Sequence, residues 1–153
     1  MDGLMGRYLI IVLSVIFLMS GCASMQELTD EVIKARNSGK EGVTKVYPVD
    51  EEQAWDITRA VFRWEKTDPI QENHVENYVI AGMGMKMVAF GSVMGVWIEP
   101  VDPGHTKLTV ISMRRVASDI FTHLTVPRFY ERFDEGVKII KSGKELPVIP
   151  PME

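Results

Sequence analysis

The chain has 153 residues, 17 Lys or Arg against 21 Asp or Glu, a formal charge of −4 and one cysteine. Mildly acidic and with both signs scattered, it lacks the clustered positive charge that nucleic acid or an anionic lipid surface would attract. One cysteine excludes an internal disulfide and a thiolate metal cluster, and the length suits one domain with its own core.

Residues 8–19, YLIIVLSVIFLM, form an uncharged run of 12 residues. That length fits the apolar core of a secretory signal and falls short of the ~20 residues a bilayer-spanning helix needs. Small residues follow at once: Ser20, Gly21, Cys22, Ala23 and Ser24. Such residues let an extended chain enter the narrow groove of a peptidase. The Met19-Ser20-Gly21-Cys22 stretch resembles the lipobox of bacterial lipoproteins, with Met19 where leucine is usual and only Arg7, offset by Asp2, at the positive end. The resemblance implies cleavage before Cys22, a thioether-linked diacylglycerol on its sulfur and acylation of its new amine. Ala23, rather than aspartate, implies sorting to the outer membrane of a Gram-negative bacterium, with the domain facing the periplasm. The acyl chains would then be the membrane partner; at ~0.8 kcal/mol per buried methylene, two or three chains hold far better than one. Two other readings stay open: cleavage after Ser24 by an ordinary signal peptidase, which would discard the cysteine, or an uncut helix.

Removing residues 1–21 leaves the formal charge at −4. Residues 22–42 read as a lipid-anchored tether containing a short amphipathic helix. Ser24 and Glu27 have the spacing of a capping box, and Met25, Leu28, Val32 and Ala35 fall near one helical face. The folded domain is expected over residues 43–143. Residues 43–49, VTKVYPV, read as a strand ended by Pro48. Asp50 and Gln53 repeat the capping pattern and open a helix over 51–66, with Ala54, Ile57, Val61 and Trp64 at helical spacing, flanked by Trp55 and Phe62. Residues 70–75 and 78–82 read as two strands around a turn at Glu76 and Asn77. Residues 82–92, rich in Gly and Met, leave a further strand open. Residues 93–101 and 106–116 read as an antiparallel hairpin turned at Pro103 and Gly104. A last helix is expected with Thr125 as N-cap, Pro127 in its first turn, Phe129, Phe133, Val137 and Ile140 on its buried face, and Gly143 at its end. Residues 144–153 form a proline-broken tail.

The order β-α-β-β-(β)-β-β-α predicts an α+β fold: one antiparallel sheet of five or six strands with two helices packed on one face. With the "YPV" step into the first helix and the lipobox, this order resembles a family of small uncharacterised bacterial lipoproteins. More distantly, it is similar to the helix-grip domains of lipoproteins of the outer-membrane barrel-assembly machinery. The resemblance spans roughly residues 43–143 and carries over no functional residue except Cys22.

No catalytic signature is complete. Ser92 is preceded two residues earlier by Phe90 and followed two residues later by Met94, so the Gly-x-Ser-x-Gly elbow is absent. "GMGMKM" lacks the spacing and the Lys-Ser end of a phosphate loop. Glu72, His74 and Glu76 alternate, so on one strand they would share a face that could polarise a water or hold a metal; a solvated strand face beside a turn is the simpler reading. His105 and His123 read as surface or helix-start residues, and adjacent Arg114 and Arg115 would face opposite ways on a strand. Met83, Met85 and Met87 also alternate, next to Phe90. They read as core filler or as an apolar contact segment, and alternatively as soft ligands for Cu(I). The leading expectation is a lipid-anchored, non-catalytic interaction or assembly module of the cell envelope, needing no cofactor and contacting another envelope protein. Periplasmic copper handling through Met83, Met85 and Met87 is the alternative, and a hydrolase built around His74 a more distant one.

Overall fold

The computed structural model describes residues 23–39, 42–83, 92–114 and 125–151. Eight elements follow in order: α1 (Ala23–Asn37), β1 (Val43–Tyr47), α2 (Glu51–Trp64), β2 (Asp68–Asn73), β3 (Tyr78–Met83), β4 (Ser92–Asp102), β5 (His105–Arg114) and α3 (Val126–Lys141). The strands form one five-stranded antiparallel sheet in the order β1-β5-β4-β3-β2. This is the expected α+β fold, with α2 and α3 together on one face. The further strand left open over 82–92 falls mostly on residues outside those described.

Local chemistry places the elements as the sequence suggests. Asp50 caps α2 by accepting from Gln53 N at 2.8 Å, and Gln53 Oε1 accepts in return from Asp50 N at 3.2 Å, which satisfies two donors that the helix start would otherwise leave bare. Thr125 caps α3 by accepting from Arg128 N at 3.3 Å. α2 ends at Trp64, before the expected 66, because Lys66 adopts φ 52° and turns the chain away. β2 begins two residues earlier than expected and takes in Pro69. An edge strand tolerates the missing N–H, and the register shifts between Pro69 and Gln71.

The main core lies between the sheet and α2 plus α3. All six apolar residues expected to face the sheet from α2 are buried, with Phe129, Phe133 and Val137 of α3. They meet Val79, Ala81, Met94, Val96, Ile98, Leu108 and Val110 on the sheet. Gly136 sets how closely the two helices approach: a Cβ there would fall 2.5 Å from Ile57 Cγ2. The tail is tied back, since Trp64 Nε1 donates to Pro147 O at 2.9 Å.

The second face of the sheet departs from expectation. Instead of belonging to a tether, α1 lies across it as a third layer. Val32 and Ala35 of α1 pack with Tyr78, Ile80, Val93, Trp97 and Ile111 in a separate buried cluster. Gly95 makes the approach close: a Cβ there would sit 2.8 Å from Val32 Cγ1 and 2.7 Å from the Trp97 ring. Arg36 completes the contact, with its guanidinium 5.6 Å from the centre of the Trp97 ring and its Nη2 2.9 Å from Glu99 Oε2. Ser24 is not the helix cap, because the helix already includes Ala23.

Candidate functional site

An open cleft of about 620 Å³ lies at one end of the sheet. Three pieces of chain build it: the start of α2 (Asp50, Glu51, Glu52, Trp55, Arg59), His74 from the β2–β3 turn, and Pro100, Asp102 and Pro103 at the β4–β5 turn. Trp55 and Arg59 are one helical turn apart and so share a face. Trp55 lies between two partners. The His74 ring stacks on it with centroids 4.3 Å apart at 30°, and the Arg59 guanidinium lies 5.3 Å from its centroid.

Arg59 is held by Glu72, with Nη2 at 2.9 Å from Oε2 and Nε at 3.2 Å from Oε1. These hydrogen bonds hold the Glu72 carboxyl below its ordinary range. They also hold the guanidinium beside the Trp55 ring. Asp102 Oδ1 takes the Gly104 N–H at 2.9 Å and lies 2.8 Å from His105 Nδ1. His105 and the Gly104 amide thus lower the Asp102 pKa. Arg59 also lines a second, more apolar hollow of about 460 Å³ between α2 and the β2–β3 edge, with Phe62, Thr67 and Val79. The cleft therefore offers a fixed ring stack beside exposed carboxylates. Such a surface can bind by contact and charge, and its basic groups are already engaged.

The expected Glu72-His74-Glu76 strand face does not form. Only Glu72 lies in β2; His74 and Glu76 belong to the turn at 74–77, where Asn77 takes φ 53°. Glu72 turns to Arg59, His74 to Trp55, and His74 Nε2 stands 3.6 Å from Glu72 Oε2. Among the described residues no group of three or more His, Cys, Asp or Glu side chains is placed to hold a metal ion. Ser92 starts β4 and is buried, His105 is exposed at the hairpin turn, and Met83 and Arg114 end their strands. Cys22, Met85, Met87, Phe90, Arg115 and His123 lie outside the described residues. No described helix is long and apolar enough to cross a membrane.

Away from the cleft, the ends of α2 and α3 are tied by Glu65, whose Oε1 accepts from Arg132 Nε at 3.0 Å and from Arg128 Nε at 3.3 Å. Tyr130 donates to Val43 O at 2.7 Å, fixing the start of edge strand β1. Burial raises the Tyr130 phenol well above its ordinary range. Burial, aided by the Asp134 charge, does the same to Tyr47.

Of the cleft residues only His74 is a candidate from sequence, and there on a strand face with Glu72 and Glu76 rather than against Trp55. The i, i+4 pair Trp55 and Arg59 was the available signal, and His74 joins them only through the turn between β2 and β3.

No protein-family model matches the chain, and no curated protein sequence matches it. Among solved structures, the chain is similar to the adenylate sensor from AMP-activated protein kinase in complex with 5-aminoimidazole-4-carboxamide 1-beta-D-ribofuranotide. The TM-score is 0.42 at 12% identity, over 64% of this chain and 95% of that one. A likeness at that level supports no conclusion about the fold or the ligands of this chain.

Proposed function

We propose that the chain is a lipid-anchored protein of the bacterial cell envelope whose α+β domain works as a non-catalytic docking module. The observation that carries this reading is the position of Cys22. It follows the apolar run 8–19 directly and precedes, without a spacer, the first described residue of a helix seated on the sheet. An acyl group on that sulfur would hold the domain by a covalent link one residue long. Of the exposed surfaces, the Trp55–His74 cleft suits a segment of another envelope protein: it is open and presents the His74 ring, stacked on the buried Trp55, beside carboxylates.

Two measurements test it. In a Gram-negative host, Cys22→Ala should abolish labelling by a fatty-acid probe and stall maturation; equal labelling of mutant and wild type would end the lipoprotein reading. A photo-crosslinker at Glu52, on the cleft rim, should capture a discrete envelope protein in intact cells. Capture of the same species from Lys141, on an exposed stretch of α3 away from the cleft, would remove the cleft from the proposal.

A further inference from the structure

The direction of α1 fixes which end of the domain a lipid anchor would hold. Val32 packs at Gly95, and Arg36 reaches Trp97 and Glu99, so α1 runs in the same direction as β4. From Val32 back to Ala23 is nine residues of helix, ~14 Å. From Gly95 back to Ser92 is three residues of strand, ~10 Å. The start of α1 therefore lies level with, or a few ångströms beyond, the rim where Met83, Ser92 and Arg114 pair across three strands. Lys66, just before β2, belongs to the same end, because Asp68 pairs with Gly82.

The cleft belongs to the other end. It is built on the β4–β5 turn, the β2–β3 turn and the N-terminus of α2. Ser92 and Asp102 are ten residues apart on one strand, a span of ~33 Å.

Resting on the lipid anchor proposed above, we propose that the bilayer surface meets the Met83–Ser92–Arg114 rim end-on and that the Trp55–His74 cleft points away, ~30 Å from the headgroups. The link is too short for free rotation: Cys22 is one residue from a packed helix, and neighbouring Cα atoms are ~3.8 Å apart. Lying flat on α1 is disfavoured by charge. Its outer side exposes Glu27, Asp30 and Glu31 with Lys34, an acidic surface that anionic lipid repels. Lying on α2 and α3 would put the anchored helix on the far side of the sheet.

The test uses the acylated protein with one added cysteine, since the Cys22 sulfur is then a thioether and only the new thiol takes a fluorophore. Lys66→Cys and Glu27→Cys report the proposed membrane end; Val75→Cys, at a residue 93% exposed in the β2–β3 turn, reports the cleft end. The variants are reconstituted into phosphatidylethanolamine–phosphatidylglycerol vesicles carrying a headgroup nitroxide. Quenching should be several-fold stronger at Lys66 and Glu27 than at Val75. Equal quenching at both ends, or stronger quenching at Val75, overturns the orientation while leaving the anchor intact. Absence of an acyl mass on Cys22, with no vesicle binding by any variant, overturns anchor and orientation together.

Discussion

Placing a methyl group at Gly95 tests the seat of α1 most sharply. In Gly95→Ala the new Cβ meets Val32 Cγ1 at 2.8 Å and the Trp97 ring at 2.7 Å. Neither neighbour gives way easily. Val32 is fully buried, while Trp97 is held between Arg36 and Tyr78, with the Tyr78 ring 5.8 Å away. Overpacking of this kind costs ~1–3 kcal/mol. Stiffening the unfolded chain at a glycine returns ~0.4–1 kcal/mol. The net loss should be about 0.5–2 kcal/mol, read by urea denaturation with tryptophan fluorescence. Val32→Ala alone should cost about 2 kcal/mol through two lost buried methyls. In the double variant the clash with Val32 is relieved while that with Trp97 stays, so the combined loss should fall short of the sum by ~0.5 kcal/mol. If Gly95→Ala is neutral or stabilising and the two changes simply add, α1 does not pack on β4 as described.

Three further outcomes follow from the same contacts. A chain truncated to start at Lys40 should lose stability and bind an apolar dye, because Tyr78, Ile80, Val93, Trp97 and Ile111 lose their cover; dye binding and unfolding midpoint unchanged from the longer chain would contradict this. Tyr47→Phe removes a buried hydroxyl that lies near Asp134 but meets hydrogen-bond geometry with no described group, so stability should hold or rise by up to ~1 kcal/mol, and a larger loss in denaturant titration would mean that the hydroxyl is bonded to Asp134. The Glu72 pKa is depressed by Arg59, so its contribution is fully present above the unfolded value of about 4.5 and fades as pH falls through the lower folded value. Glu72→Gln should therefore cost ~0.2–1 kcal/mol at neutral pH and nothing in strong acid, and a gap that persists in acid would refute the linkage.

The sequence carried the α2–α3 side of the fold well, because its signals are local. Capping at Asp50 and Thr125, and the stripes from Ala54 to Trp64 and from Phe129 to Val137, need only helical spacing to be read. The third layer was hidden by a weak stripe, since only Val32 and Ala35 of α1 are buried apolar residues among those described. Its signal lay in the partner strand. β4 reads VMGVWI without alternation, and residues 92–98 are all buried. A strand apolar at every position must be covered on both faces. The cleft was less legible, because Trp55, His74 and Asp102 come from three separate elements and none carries a motif. The alternating Glu72, His74 and Glu76 misled for a related reason: spacing of two means a shared face only if the strand continues, and here it turns after Asn73.

Intact mass and N-terminal fragmentation of the mature protein, recovered from the membranes of a Gram-negative host, bear most directly on the lipid anchor. The account predicts a chain beginning at Cys22, heavier than its amino-acid sequence by a diacylglycerol and an N-linked acyl group, with both additions on that residue. A chain beginning at Met25, or one retaining Met1 to Gly21 with an unmodified Cys22, would contradict it.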